Sequence, residues 1–199
     1  MSTPEAMLDR LDWAGIGQQL DAEGHALLPG LPGADVARNL APWRAAFYRR
    51  LVPIADRWNE TLGSARRHPA ELEDFLRLNR QAGQTRALSH VSRLGPEDHV
   101  PLHRHNDGEH VFALQIVALL SEPGIDFEGG EFVMTEQRPR MQSRPLVLPL
   151  TRGDVAVIAT AERPCQGTRG CYRVQLRHGI SRVHHGERVG LELSFHDAP

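Results

Sequence analysis

His103, His105 and Asp107 recur at every second position, and a further histidine, His178, is followed ten residues later by Arg188. In a β-strand alternate side chains face the same way, so the first three would project together. Any adjacent pair of them could then hold two positions of one metal ion. Imidazole combined with carboxylate suits a divalent transition metal such as Fe(II) that must keep positions free for dioxygen and a chelating partner. An arginine behind a distal histidine adds a second capability. Its planar guanidinium matches a carboxylate two-pronged, so Arg188 is placed to grip the far end of an oxo-acid.

Other residues are candidates for supporting roles. Gln115 interrupts an apolar run and could donate to the co-substrate or cap a buried network, and Arg93 and Arg86 are possible contacts to substrate or co-substrate. His103-x-His105-x-x-x-Glu109 also fits the first motif of cupins, which use three histidines and a glutamate. Glu109 could instead sit in a turn or orient a ligand imidazole. An isolated His-x-His is as readily a polar strand end as a metal site. His99 and His110 flank the candidate strand, and His184 and His185 are expected in an exposed turn.

These groups need a scaffold. Residues 1–90 read as mainly helical. Leu8, Leu11, Ile16 and Leu20 mark a first amphipathic helix, weakened by Gly15 and Gly17. His25 to Gly30 is an apolar run closed by Pro29 and Gly30, a plausible edge strand. Trp43, Phe47, Leu51, Ile54, Trp58 and Leu62 fall on one face of a helix over Pro42 to Leu62, with a kink or break expected at Pro53. A shorter helix is expected over Pro69 to Leu78. Beyond Arg86, β-branched and aliphatic runs alternate with turn residues: Val111–Leu120, Glu131–Thr135, Leu146–Leu150, Val155–Ala159, Tyr172–Leu176 and Val189–Phe195. Close-set strands without intervening helices predict an antiparallel sandwich or barrel.

The 199 residues fit one domain, 1–199, with a helical part over 1–90 and a β core over 91–199. The formal net charge of -2 gives no overall electrostatic case for wrapping duplex nucleic acid. Eleven histidines are many for this length, and most lie in residues 99–110 and 178–185. There is no membrane-length apolar run and no signal-peptide pattern at the N-terminus, so a cytoplasmic setting is expected. Cys165 and Cys171 flank a Gly-Thr-Arg-Gly turn and could be bridged, but free thiols are expected in a reducing compartment. Arg138, Arg140 and Arg144 share a polar, proline-containing hairpin that could contact phosphates.

Several segments together resemble the 2-oxoglutarate/Fe(II)-dependent oxygenase superfamily. Asp126-Phe-Glu-Gly-Gly-Glu131-Phe is similar to a strand-opening motif of prolyl-hydroxylase-type members, and Arg152-Gly-Asp-Val-Ala-Val-Ile to their Gly-Asp-apolar strand. His178-x-Ile-x-x-Val-x-x-Gly-x-Arg188 resembles their distal histidine and co-substrate arginine. Glu122-Pro-Gly, Gly130 to Arg144, Gln166-Gly-Thr-Arg, Leu176-Arg-His-Gly and Phe195-His-Asp-Ala look like a bacterial family within it, whose members are predicted to act oxidatively on damaged nucleic acid. This closer likeness covers about residues 84–198, with fainter likeness in Leu27-Leu-Pro-Gly and Pro53 to Glu60.

The resemblance implies a double-stranded β-helix, or jelly-roll, of α+β class with the N-terminal helices packed on the major sheet. It implies Fe(II) or another divalent metal, 2-oxoglutarate as co-substrate and O2. The reaction would be oxidative decarboxylation of 2-oxoglutarate coupled to hydroxylation or demethylation. The substrate would be a small molecule or a nucleic-acid base, single-stranded or damaged.

Two departures stand out. The family's His-x-Asp pair falls on His103 and His105 in the ungapped register, which removes the carboxylate; a two-residue slide to His105 and Asp107 restores it. With His103, His105 and His178 alone, the site would carry one more positive charge than the usual set, altering metal preference or chemistry. The other departure is the short run between Gly30 and the next helix. Three function classes follow: small-molecule oxidation, oxidative modification of nucleic acid, and a non-catalytic metal-binding or sensing jelly-roll with a cupin-like three-histidine site.

Overall fold

A computed structural model describes residues 3–168 and 170–199. The helices come first, with one short strand among them: α1 (Pro4–Leu8), α2 (Trp13–Glu23), β1 (His25–Leu27), α3 (Gly33–Arg38), α4 (Leu40–Thr61) and α5 (Leu72–Gln81). The expected first helix is two. Asp12 breaks it, accepting from the Gly15 amide as an N-cap and starting α2 afresh. Gly24, at φ 74°, ends α2 in the left-handed conformation that glycine adopts freely. The Trp43 to Trp58 face of α4 is buried as its spacing predicts. The break expected at Pro53 does not occur. Pro53 is exposed, as is Arg49 one turn before it, so the carbonyl left without a donor faces water.

Among the described residues eleven strands follow: β2 (His90–Leu94), β3 (Val100–His103), β4 (Leu114–Leu119), β5 (Phe127–Gly129), β6 (Phe132–Gln137), β7 (Arg144–Leu148), β8 (Val155–Ala159), β9 (Glu162–Gly167), β10 (Gly170–Ile180), β11 (Val183–Gly186) and β12 (Arg188–Leu193). They form a five-stranded sheet in the order β1-β8-β4-β12-β2 and a second sheet, β3-β10-β6-β7, with β9 also on β10. A two-stranded ribbon pairs β11 with β5. Every ladder between these strands is antiparallel. The fold is thus mixed, with mostly antiparallel sheets arranged as a jelly-roll.

β4 and β8 are buried along their whole length, as central strands covered on both faces must be. β1 pairs with β8 as the expected edge strand, and α2 packs against both. Tyr48 of α4 meets Phe75, Phe112 and Phe195, joining the helices to the end of the chain after β12. Among the described residues, no helix is long and apolar enough to cross a membrane. Cys165 and Cys171 are both free.

Candidate metal centre

Register, rather than sequence proximity, assembles the histidines. His178 of β10 is the direct cross-strand partner of His103 at the end of β3, and their rings lie 4.4 Å apart. His105 follows in irregular backbone, with its Nε2 3.1 Å from His103 Nε2. Across the gap between sheets, β12 contributes Glu192, whose Oε2 is 3.9 Å from both His105 Nδ1 and His178 Nε2. One donor atom from each of His103, His105, His178 and Glu192 lies within 4.8 Å of the others.

The hydrogen-bond partners fix which nitrogens are available. His103 Nδ1 is 2.9 Å from the Pro101 carbonyl, which can only accept, so Nδ1 carries the proton and Nε2 a lone pair. His105 Nδ1 faces the Gln115 Oε1 at 3.2 Å, which leaves His105 Nε2 in the same state. Two lone pairs therefore meet at 3.1 Å with no proton between them. Two donors bound to one ion at about 2.1 Å and at right angles stand roughly 3 Å apart. A metal ion fits this pair, and the site's residues fit the group that the motifs imply. His178 Nδ1 and Glu192 Oε2 are buried without hydrogen-bond partners among the described residues, which leave the cluster unsatisfied.

Surrounding groups hold the rings. Gln115, buried on β4, bridges two of them: its Oε1 accepts from His105 and its Nε2 lies 3.0 Å from His178 Nε2. Phe132 of β6 lies parallel to the His178 ring at 5.9 Å. His196 accepts from the Phe112 amide at Nδ1 and so donates through Nε2 to the His105 carbonyl at 2.8 Å. It thereby anchors the irregular backbone that carries the second imidazole. Burial lowers the pKa of His105, with Glu192 working in the opposite direction. Burial alone would raise the pKa of Glu192, but His178, His105 and His103 bring it down to about 2.

Arg188, Gly190 and Glu192 alternate on one face of β12. Arg188 is only 3 % exposed, and its Nε donates to the Gly130 carbonyl at 2.7 Å. Burial lowers its pKa to about 10 despite the nearby Glu192, so it remains a cation at neutral pH. Two glycines make this conformation possible. A Cβ on Gly190 would lie 2.6 Å from Arg188 Nη1, so the guanidinium folds back over that residue toward Glu192. Gly130, at φ 63°, brings its backbone onto the Arg188 side chain, where a Cβ would stand 2.9 Å from Cδ. The Gly-Gly-Glu motif thus has a local purpose. Arg188 and Phe132 line two hollows: one of about 10 Å³ that also includes Glu192, and one of about 340 Å³ reaching Phe127 and Leu150.

Other candidates lie elsewhere. β3 ends at His103, so strand alternation does not continue to Asp107, which is exposed and outside the cluster. Glu109 is 70 % exposed and also outside it. Arg93 stands opposite Val189 rather than Arg188, and so faces away; its exposed guanidinium pairs with Glu187. Arg86 is exposed in an isolated bridge to Ala198. His99, His184 and His185 are exposed, the last two in β11 rather than a turn, and His110 lies against Phe75. Glu192 and His196 were not apparent as site residues from sequence. The signal for Glu192 was present: a lone carboxylate within an apolar strand run, four residues beyond Arg188.

Residues 33–198 match the profile of a family described as an oxygenase catalysing oxidative methylation of damaged DNA. The chain belongs to this oxygenase family. An uncharacterized protein of Mycobacterium tuberculosis, in strains CDC 1551 / Oshkosh and H37Rv, is 40% identical over 163 residues, 82% of this chain and 70% of the relative. Among solved structures, a prolyl 4-hydroxylase from Phytophthora capsici aligns with 100% of this chain and 66% of its own, at a TM-score of 0.50 and 17% identity. That likeness supports the jelly-roll fold. An oxidoreductase of the 2OG-Fe(II) oxygenase family from Burkholderia pseudomallei aligns over 95% of this chain and 93% of its own, at a TM-score of 0.49 and 20% identity.

Proposed function

We propose that this oxygenase holds Fe(II) through His103, His105 and His178 and uses 2-oxoglutarate, gripped by Arg188, to oxidise a nucleic-acid base or a related small molecule. The observation that carries this reading is the buried Arg188 cation on the strand face that leads to the histidine cluster. A buried guanidinium with no carboxylate bonded to it is suited to an incoming one. Bound iron would supply the activation of dioxygen that carbon-hydrogen oxidation needs. The protein's own work is to orient and to exclude water. Gln115 and His196 fix the imidazoles, Arg188 sets the position of the co-substrate's distal carboxylate, and the two sheets, with helices packed on the larger, keep the centre dry. The balanced reaction is 2-oxoglutarate, O2 and a C–H substrate giving succinate, CO2 and the hydroxylated product. On an N-methyl group, the hydroxylated product releases formaldehyde.

A nucleic-acid substrate is favoured by the family and by the placement of arginine. All 23 cationic Lys and Arg residues in the chain are arginine, the residue best matched to phosphate. Arg66, Arg104 and Arg173 line one hollow, and Arg138, Arg140 and Arg173 line another, so the two share a wall. Arg104 lies between His103 and His105 in sequence, which brings this basic face close to the candidate centre.

The test is anaerobic loading with Fe(II), addition of 2-oxoglutarate and air, and measurement of succinate. Turnover in the wild type that is abolished in His178→Ala is the expected result. Equal succinate in both would refute the assignment, and none in either would leave the cupin-like, non-catalytic reading in its place.

A further inference from the structure

We propose that Glu192 is a metal ligand, supplying from β12 the carboxylate that the His103–His105 strand lacks. This rests on the metal-binding reading above and deepens it. The motif resemblance calls for a carboxylate two residues after His103, where the chain has His105. In space, Glu192 reaches across the gap between the sheets and places Oε2 3.9 Å from His105 Nδ1 and 3.9 Å from His178 Nε2. Those separations are too long for hydrogen bonds, and Oε2 is buried with no hydrogen-bond partner among the described residues. A carboxylate oxygen in that position is costly unless a cation meets it. Arg188, the nearest cation on the same strand face, directs its Nε to the Gly130 carbonyl instead. The surroundings of Oε2 are three imidazoles, two of which present lone pairs to each other, so a divalent ion is the partner that satisfies all of them together.

The exchange preserves charge. Two imidazoles with a carboxylate, and three imidazoles with a carboxylate, leave the same net charge on a divalent ion. What changes is the donor count: a six-coordinate ion would keep two further positions rather than three. The excess positive charge expected from three histidines alone is therefore removed, while the space left for co-substrate and dioxygen together is reduced.

The test is Co(II) binding to the full chain, followed by visible absorption and competition titration. Circular dichroism is used to check each variant's fold. Glu192→Gln keeps the size of the side chain and removes its charge, and should weaken Co(II) binding on the order of a hundredfold. Restoring a carboxylate at the motif position, in the double variant His105→Asp with Glu192→Gln, should recover most of that loss. Wild-type affinity in Glu192→Gln, with binding lost in His178→Ala, would overturn this proposal and leave the three-histidine site standing. Loss without recovery in the double variant would also overturn it, assigning Glu192 to holding the pocket's shape. Unchanged affinity in both Glu192→Gln and His178→Ala would refute the metal-binding reading itself.

Discussion

In the proposed function Arg188 is the residue on which co-substrate recognition turns, because a buried cation of fixed geometry discriminates by what it can pair with. Replacing it with Gln removes a charge-assisted pair worth about 3 kcal/mol, so the KM for 2-oxoglutarate should rise on the order of a hundredfold. Steady-state succinate assays measure this directly, and an unchanged KM would remove Arg188 from the co-substrate site. Gly190 offers a finer perturbation. Its missing Cβ is the space into which the guanidinium folds, and the clash in Gly190→Ala is with the end of a flexible side chain. That variant should fold normally yet raise the same KM about tenfold, equivalent to 1.4 kcal/mol. The grouping of His103, His105 and His178 was legible in sequence from their spacing, side-chain chemistry and motif resemblance. For Glu192 the sequence offered only a lone carboxylate in an apolar run, because its place beside the imidazoles depends on one strand of the larger sheet facing them across the interior. Residue spacing carries no information about which strands face each other.

At the scale of elements, alternation succeeded where strands are regular and failed where they stop. It anticipated the strand run over Val189–Phe195 that forms most of β12, but it could not reveal that β3 ends at His103, which takes Asp107 off the ligand face. Asp107→Asn should accordingly leave metal affinity unchanged, as measured by the same Co(II) titration; a loss of binding would revive the shifted pair of His105 and Asp107. The β9–β10 hairpin gives a second case. Cys165 pairs with Tyr172, and Cys171 with Gln166. The two cysteines are one step out of register, so their side chains lie on opposite faces, where a disulfide cannot close. Both thiols should therefore react with a thiol reagent in denaturant without prior reduction, and finding none would show that the hairpin register is wrong. The helical half was partly legible: the buried stripe of α4 follows from its spacing, whereas its continuity through Pro53 depends on which side faces water.

For the whole molecule, stability should depend on pH through histidines that the fold keeps neutral. Burial lowers the pKa of His196 to about 4 and lowers that of His68, although Asp56 pulls the latter back up. The unfolded chain titrates these groups near 6.5. Between about 6.5 and 4 it therefore binds more protons than the native protein, and stability falls as pH falls across that window. His196 alone accounts for on the order of 3 kcal/mol. Denaturant titrations should show this slope in the wild type and a shallower one in His196→Gln, while equal slopes would exclude His196 as its source. The arginine-lined face makes a separate prediction. Single-stranded DNA should bind with an affinity that falls steeply with salt, and Arg104→Gln with Arg173→Gln should weaken binding and flatten that dependence. Salt-independent or absent binding would favour a small-molecule substrate.

The most direct measurement is anomalous diffraction from crystals grown with Mn(II) and 2-oxoglutarate. The account predicts one peak within about 2.3 Å of a nitrogen from each of His103, His105 and His178, with the co-substrate's distal carboxylate on the Arg188 guanidinium. A peak elsewhere, or a co-substrate that leaves Arg188 untouched, would contradict it.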